Sequence, residues 1–227
     1  DTWSCRMTRQ NDFPFSELFS AYAAGALDAG LALLVETQGA LRADIKDAVA
    51  QSEAVAGAYL EMTEPVAMCA GALESAMAQF DALEASATTE QAGGPVEDGE
   101  MGQLPAPLQH AIAASRNRET WSSAAPGIHR IALDVGSQME VELYRIQPDA
   151  AIPRHSHGGE EYTLVVTGGY TDESGSFGPG DLAVKGPEDT HRPVGDAGEV
   201  CFALIVRDGA FRLTGALGLA QRILGRR

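Results

Sequence analysis

Three histidines and one glutamate form the clearest chemical pattern in this sequence. His155, His157 and Glu161 lie in one short run, and His191 follows thirty residues later. Alternate residues of a β-strand point to the same side, so a strand here would place the first three side chains on one face. Three imidazoles and a carboxylate suit a divalent ion, and Zn, Fe, Mn, Ni and Co all remain open. We predict that these four residues bind one metal ion.

The other polar residues near this run are less informative. His110 and His129 have no comparable neighbours and are predicted to be structural. Glu160 would point away from Glu161 on a strand and is expected to be exposed. A six-coordinate ion with four protein ligands would leave positions open for chemistry, whereas tetrahedral zinc would be closed. The sequence leaves both geometries open.

Length and composition indicate an ordinary globular protein. The chain has 227 residues, of which 44% are hydrophobic, enough for one large domain or two modest ones. The sequence has no apolar run of the roughly 18 to 20 residues that a membrane span needs and no signal-peptide pattern, so we expect a cytoplasmic protein. Three scattered cysteines predict reduced thiols.

Met7 is a plausible natural start, and residues 1–15 are expected to form a disordered extension.

The net charge of −16 is concentrated in the first half of the chain. Residues 1–100 contain 17 acidic and 4 basic residues, a net charge of −13, whereas the remainder has a net charge of only −3. Such a surface disfavours nucleic acid and favours a basic protein partner. A solvated acidic surface that only maintains solubility is the alternative.

Helical periodicity extends from residue 16 to about residue 84. Ser16 and Asp28 are predicted to cap the first two helices, and Gly25 to end the first. A third helix is predicted over residues 44–62, before Pro65, and Leu73, Met77 and Phe80 indicate a fourth. Short helices bury little area alone, so these must pack on one another or on a partner.

Composition then changes twice along the chain. Residues 85–107 are rich in Ala, Thr, Gly, Glu and Pro and are predicted to be a flexible linker. Residues 108–227 alternate between apolar and polar positions with glycine-rich turns, which predicts a sandwich or small barrel. The tail from Leu213 to Arg227 has helical spacing and is expected to cover a sheet edge, or alternatively to bind a partner. The predicted fold class is therefore α+β: a small all-α domain at 16–84 followed by an all-β domain.

The metal-binding pattern resembles the two motifs of the cupin superfamily. The first motif matches His155-x-His157-x-x-x-Glu161 followed by Gly168, and the second matches Gly180 with His191 eleven residues on. Three positions depart from it: Asp149 stands where glycine is usual, Pro187 is one place late, and Gly195 replaces asparagine. The resemblance implies a double-stranded β-helix barrel whose ligands are His155, His157, Glu161 and His191.

The first half narrows the resemblance to the ChrR family of cupin-tailed anti-sigma factors. Segments 16–28, 61–67 and 71–81 are similar to the helical domain of that family, and the likeness covers nearly the whole chain. It implies that the helical domain binds an extracytoplasmic-function sigma factor. For the cupin we expect one divalent metal ion, zinc by preference, with Fe, Mn or Ni as alternatives. The resemblance also implies a response to singlet oxygen or peroxide. We expect the partner contacts to include Leu18, Phe19, Tyr22 and Leu31.

One departure from the family is large. Its helical domain usually binds zinc through an early histidine and an H-x-x-x-C-x-x-C run, but Gln38, Arg42 and Ile45 occupy the run here, and Asp12 or Phe13 the early position. These residues cannot replace a thiolate zinc site. We therefore predict no metal in residues 1–84 and a helical domain held together by apolar packing.

Two functions remain open at this point. The first is an anti-sigma regulator, which explains both the two domains and the charge asymmetry. The second is a metal-dependent cupin dioxygenase or related enzyme, with helices that serve for dimerisation. A homodimer through the cupin or the helices is compatible with either, and neither involves direct contact with nucleic acid or a membrane.

Overall fold

Helices form the first part of the chain. The computed structural model describes residues 15–87, 99–115, 121–209 and 211–213. Its helices are α1 (Phe15–Ala23), α2 (Ala29–Leu41), α3 (Ala43–Glu61), α4 (Ala72–Ala87), a 3-10 turn at Glu100–Gln103 and α5 (Ala106–Ala114). The first four match the helices that the periodicity predicts. The predicted N-terminal extension, apart from Phe15, lies outside the described residues.

Local sequence determines where the first helices begin and end. Asp28 caps α2 as predicted, because its Oδ1 accepts a 2.8 Å hydrogen bond from the Gly30 amide. Gly25 has a φ of 65° just beyond α1, a left-handed conformation that ends a helix without steric cost. The predicted Ser16 cap is wrong, because α1 already begins at Phe15 and Ser16 lies inside its first turn.

Antiparallel strands form the rest of the described chain. They are β1 (Ser122–Ala125), β2 (Ile128–Ala132), β3 (Glu140–Ile146), β4 (His155–His157), β5 (Glu161–Thr167), β6 (Tyr170–Asp172), β7 (Gly175–Phe177), β8 (Leu182–Lys185), β9 (Thr190–His191), β10 (Val194–Gly195), β11 (Cys201–Arg207) and β12 (Phe211–Leu213). A six-stranded sheet has the order β1-β2-β3-β11-β5-β8, and two three-stranded sheets have the orders β10-β6-β7 and β12-β4-β9. The predicted α+β class, helices followed by a β-barrel, is confirmed.

The central strands of the large sheet are buried on both faces. On one face Leu143 and Leu204 pack with the helical residues Leu34 and Leu108. On the other face Tyr144, Val165 and Ile205 pack with Ile152 and Tyr170 from the smaller strands and their connections. The helices and the barrel therefore share one apolar core, which holds α2 and α5 against the sheet.

Polar contacts fix α2 on the barrel at both of its ends. Asp28 accepts hydrogen bonds from Ser137 Oγ (2.6 Å) and from the Gln138 amide (2.9 Å). At the other end the buried Gln38 side chain donates to the carbonyl of Gly180 (3.1 Å). A buried polar side chain is tolerated only when it is paired in this way, so the position of α2 is specified as well as stabilised.

Part of the segment predicted to be a flexible linker packs against the barrel. Residues 88–98 lie outside the described residues, but Leu104 is buried in the core and Glu100 pairs with Arg145 at 2.7 Å. The end of that segment therefore lies on the barrel surface. At the C terminus Leu213 lies in β12, which pairs with β4, so the predicted tail helix does not begin there; the remainder of that prediction falls on residues 214–227, outside the described ones.

We expect Asp28→Ala to lower the free energy of unfolding by about 1–2 kcal/mol at neutral pH, because the cap and the two barrel contacts are lost together. Burial raises the pKa of Asp28, but hydrogen bonds from Ser137, Gln138 and Gly30 outweigh it and leave this pKa below its ordinary value. The stabilisation is therefore present above the ordinary carboxyl pKa and disappears as the pH falls through the folded-state pKa. Urea unfolding of both proteins at neutral and acid pH measures this. The exposed Asp47, changed to Ala, is the control. An equal cost for the two variants at neutral pH would contradict the assignment.

Candidate metal centre and helical surface

Two short strands and the start of a third bring the four predicted ligands together. β4 carries His155 and His157 on one face, β9 pairs with it so that His191 lies opposite His155, and Glu161 begins β5. All four side chains are buried, whereas Glu160 is exposed as predicted. One candidate ligand atom from each residue lies within 4.8 Å of the others. The alternation of the strand thus produces the cluster that the sequence indicates.

The spacing of the ring nitrogens fits a single ion. Nε2 of His191 lies 3.0 Å from Nε2 of His155 and 3.2 Å from Nε2 of His157. Two nitrogens each about 2.1 Å from an ion lie about 3.0 Å apart at a right angle and about 3.4 Å apart at a tetrahedral angle. Oε1 of Glu161 is 3.9 Å from Nε2 of His191. The donor set therefore needs only small shifts to surround an ion.

Hydrogen bonds on the far side of two rings fix which nitrogen carries the proton. Nδ1 of His155 lies 2.9 Å from the Pro153 carbonyl, which can only accept. Nδ1 of His191 lies 2.9 Å from Oδ2 of Asp172 and donates to that carboxylate. When His191 is neutral, as metal ligation requires, both Nε2 atoms direct lone pairs toward the same space from 3.0 Å apart. Lone pairs that converge in this way fit a metal ion.

Burial sets the protonation states that metal binding needs. It lowers the pKa of His155 to about 3 and that of His157 to about 4, with a further contribution from His191 in each case. Both rings are neutral at neutral pH and can ligate. Burial also raises the pKa of Glu161, although His191 and Arg207 oppose this. A buried carboxylate of this kind is stabilised by a nearby cation.

Asp172 is the partner of His191 that the sequence could not identify. It lies on β6, and Lys185 Nζ approaches its Oδ2 at 3.2 Å, while the Ser174 amide donates to its Oδ1 at 2.7 Å. Burial raises the pKa of Asp172, but hydrogen bonds from His191 and Ser174 and the Lys185 charge hold it far below its usual range. The ionised carboxylate therefore orients the His191 ring and makes Nε2 a better donor to a metal.

We expect Asp172→Asn to weaken metal affinity by about 10–100-fold, because a neutral amide orients the ring less firmly and does not raise its basicity. Competition with a chromophoric chelator measures the change. Glu173→Gln is the matched control, since this neighbouring acid binds Arg154 and the Arg192 amide instead of a ligand. Equal affinities of the wild type and Asp172→Asn would show that the contact does not act on the metal.

A second feature of the structure is an apolar surface on α3 and α4. α3 has no buried residue, and large apolar side chains along it, along the following loop and along α4 are exposed. We call this set the α3–α4 surface: Val55, Tyr59, Leu60, Met62, Val66, Met68, Leu73, Met77 and Phe80. Residues 43–82 also carry seven acidic residues and one basic residue. Exposed large apolar side chains in such number are typical of a region that contacts another molecule.

Comparison with known proteins identifies the family. A family model described as the ChrR cupin-like domain matches residues 109–210. The anti-sigma-E factor ChrR of Cereibacter sphaeroides is 32% identical over 200 residues, which cover 88% of this chain and 91% of that protein. The chain belongs to the ChrR family of anti-sigma factors. The crystal structure of Rhodobacter sphaeroides SigE in complex with the anti-sigma ChrR matches with a TM-score of 0.68 and 31% identity, over 85% of this chain and 96% of that chain.

Family membership confirms the resemblance that the motifs indicate. The β-domain has the cupin fold of the ChrR family, and helices precede it. Within the described ranges, the helices lack the combination of length and apolar content that crossing a bilayer requires.

The predicted ChrR-type partner contacts occupy a different place from the exposed surface. Leu18, Phe19 and Leu31 are buried in the core, and Tyr22 is partly buried and donates to Glu36 at 3.0 Å. Of these four residues, Phe19 lines the open groove between α1 and α3, and Leu60 lines the same groove. Helical periodicity identifies apolar stripes but not which stripe the chain itself covers. In this conformation the large apolar side chains of α3 at Val55, Tyr59 and Leu60 are exposed, whereas Leu18 and Phe19 of α1 are buried.

Gln38, Arg42 and Ile45 stand where the ChrR family usually has zinc ligands, and they make other contacts in this chain. Gln38 donates to Gly180, and Arg42 pairs with Asp44 (2.6 Å) and lies 3.6 Å from Asp181. Ile45 packs at the margin of the core. The early position, Asp12 or Phe13, lies outside the described residues. Contacts between helix and barrel therefore occupy the sites of the family's zinc ligands.

Proposed function

We propose that this chain is an anti-sigma factor that binds an extracytoplasmic-function sigma factor through its helical region and holds one divalent ion in its barrel. The α3–α4 surface is the observation that carries the proposal. It presents large apolar side chains among acidic residues, on a chain of the family to which the anti-sigma-E factor ChrR belongs.

The chemistry of that surface suits a basic protein partner. Burial of exposed residues such as Tyr59, Leu60 and Phe80 would supply most of the binding free energy. The surrounding acidic residues would speed association with a basic surface and disfavour acidic partners. A sigma factor bound by this chain would then be unable to bind RNA polymerase, as the resemblance implies. The complex would act in the cytoplasm.

The barrel is proposed to bind zinc through His155, His157, Glu161 and His191. The donor set of three nitrogens and one oxygen matches the ligands that Zn²⁺ accepts, and His155 and His157 are neutral and ready to ligate. When bound, the ion supplies a positive charge that the buried Glu161 and the facing Nε2 atoms require. A role in the response to singlet oxygen or peroxide belongs to the same proposal.

Cavity size argues against the dioxygenase alternative. The space beside the cluster, lined by Tyr170, Ile152 and Ile205 among others, has about 20 Å³ open to the centre of a water molecule. That is room for about one water. A diketone or flavonoid would need a far larger pocket.

Transcription in vitro tests the function. Run-off transcription directed by an extracytoplasmic-function sigma factor of the same organism that binds this chain should fall to background when the chain is added in slight molar excess. Addition of more sigma factor should restore it. Undiminished transcription at saturating amounts of the chain would contradict the proposal.

A further inference from the structure

One buried tyrosine lines a cavity at the proposed metal centre, and its hydroxyl has no hydrogen-bond partner among the described residues. Tyr170 is 2% exposed, and its ring stacks on Phe177 with the ring centroids 5.0 Å apart. Its hydroxyl finds no hydrogen-bond partner in the part of the chain that the structure describes. A buried, unpaired hydroxyl costs about 1–3 kcal/mol, so its presence calls for a physical reason.

Tyr170 lines the same cavity as three of the proposed ligands. His155, Glu161 and His191 border this space of about 20 Å³, and most of the remaining wall is apolar. The other polar groups of the wall are engaged. Arg207 binds Glu140 and Glu142, and the Thr163 hydroxyl donates to Glu161 at 3.3 Å.

The Tyr170 hydroxyl keeps its proton and can therefore act as a donor. Burial raises the pKa of Tyr170 well above its ordinary value, and the nearby Asp172 and Glu161 carboxylates add to this. The cavity thus combines a proton donor with a proposed cation site across a space for one small molecule.

We infer that Tyr170 donates a hydrogen bond to a water-sized ligand that this cavity holds beside the His/Glu cluster. The ligand class is a small hydrogen-bond acceptor, neutral or singly negative, such as water, fluoride or one oxygen of a peroxide. This inference rests on the proposed metal centre, because the ligand takes the space that the four side chains leave beside the ion.

Fluoride binding to the cobalt-loaded full chain tests the inference. Visible absorption of Co²⁺ reports a change in its surroundings, and fluoride is a single-atom acceptor that fits the cavity. We expect Tyr170→Phe to raise the fluoride dissociation constant at least about tenfold while cobalt content stays at one per chain. Tyr162→Phe is the matched control, since its hydroxyl donates to Glu160 instead; it should bind fluoride like the wild type.

Thermal unfolding gives a second readout that a purely structural tyrosine would not produce. Without metal, Tyr170→Phe should unfold at a higher temperature than the wild type, because an unpaired buried hydroxyl is removed. With cobalt and fluoride bound, this gain should disappear or reverse. Equal fluoride affinity in wild type and Tyr170→Phe, or no fluoride binding by the cobalt-loaded wild type, would overturn the inference alone. Failure of the wild type to bind cobalt would instead overturn the proposed centre, and the inference with it.

Discussion

Replacement of Leu60 and Phe80 by aspartate is expected to weaken the complex with the sigma factor at least about 100-fold, because burial of each large apolar side chain contributes about 1.5–3 kcal/mol. Aspartate would also place a charge in a desolvated interface, which adds to the loss. In the free chain these side chains are 74% and 63% exposed, so its own stability should change little. Isothermal titration calorimetry measures the affinity, and thermal unfolding checks the free protein.

The control for this pair adds the same charge elsewhere. Ala124→Asp and Ala197→Asp change exposed small residues on β1 and in the turn between β10 and β11, outside the α3–α4 surface. This double variant should bind the sigma factor as the wild type does. If Leu60→Asp, Phe80→Asp also binds normally, the interface lies elsewhere on the chain.

Removal of two ligands, His155→Ala with His191→Ala, is expected to abolish metal binding and the stability that the metal confers. A metal ion present at about a thousand times its dissociation constant stabilises the folded state by about 4 kcal/mol. For a chain of this size that corresponds to about 8–16 °C in the unfolding midpoint. The metal-loaded wild type should lose this margin when a chelator is added, whereas the double variant should not respond to chelator.

A comparison of the wild type and the double variant without metal makes the prediction about stability more specific. Without an ion, loss of the two buried rings still costs packing and removes the His191 partner of the Asp172 carboxylate. We therefore expect the metal-free double variant to be less stable than the metal-free wild type, and the response to chelator is the readout that isolates the metal. His129→Ala, on β2, is the control that should retain one ion per chain. A double variant that still bound stoichiometric metal would show that other residues form the site.

The sequence was sufficient for the features that depend on local periodicity. His155 and His157 share a face because strand residues alternate, and a second motif placed His191 opposite them. The first four helices follow from the helical repeat in the same way, and the Asp28 cap follows from a side chain that accepts hydrogen bonds at a helix start. The family was also recognisable from these motifs.

Features that depend on contacts distant in sequence could not be predicted. Asp172 reaches His191 only because the β6–β7 hairpin folds over the ligands, and no spacing in the sequence indicates this. Gln38 meets Gly180 across 142 positions of the chain. Ile45 and Val49 of α3 pack at the margin of the core, yet Tyr59 and Leu60 further along the same helix are exposed. The sequence indicates that Leu18 and Leu31 are apolar helix residues, but it does not show that the chain's own core buries them.

The central claim is that the helical region binds its sigma factor without a metal of its own. The most direct measurement is the affinity of the full chain for the extracytoplasmic-function sigma factors of the same organism, determined by calorimetry before and after metal is stripped with a chelator. We predict a one-to-one complex whose affinity changes little on stripping, because Gln38 and Arg42 tie the helices to the barrel where the family's zinc ligands would stand. Absence of a complex in both conditions, or a complex that forms only with metal present, would contradict this account.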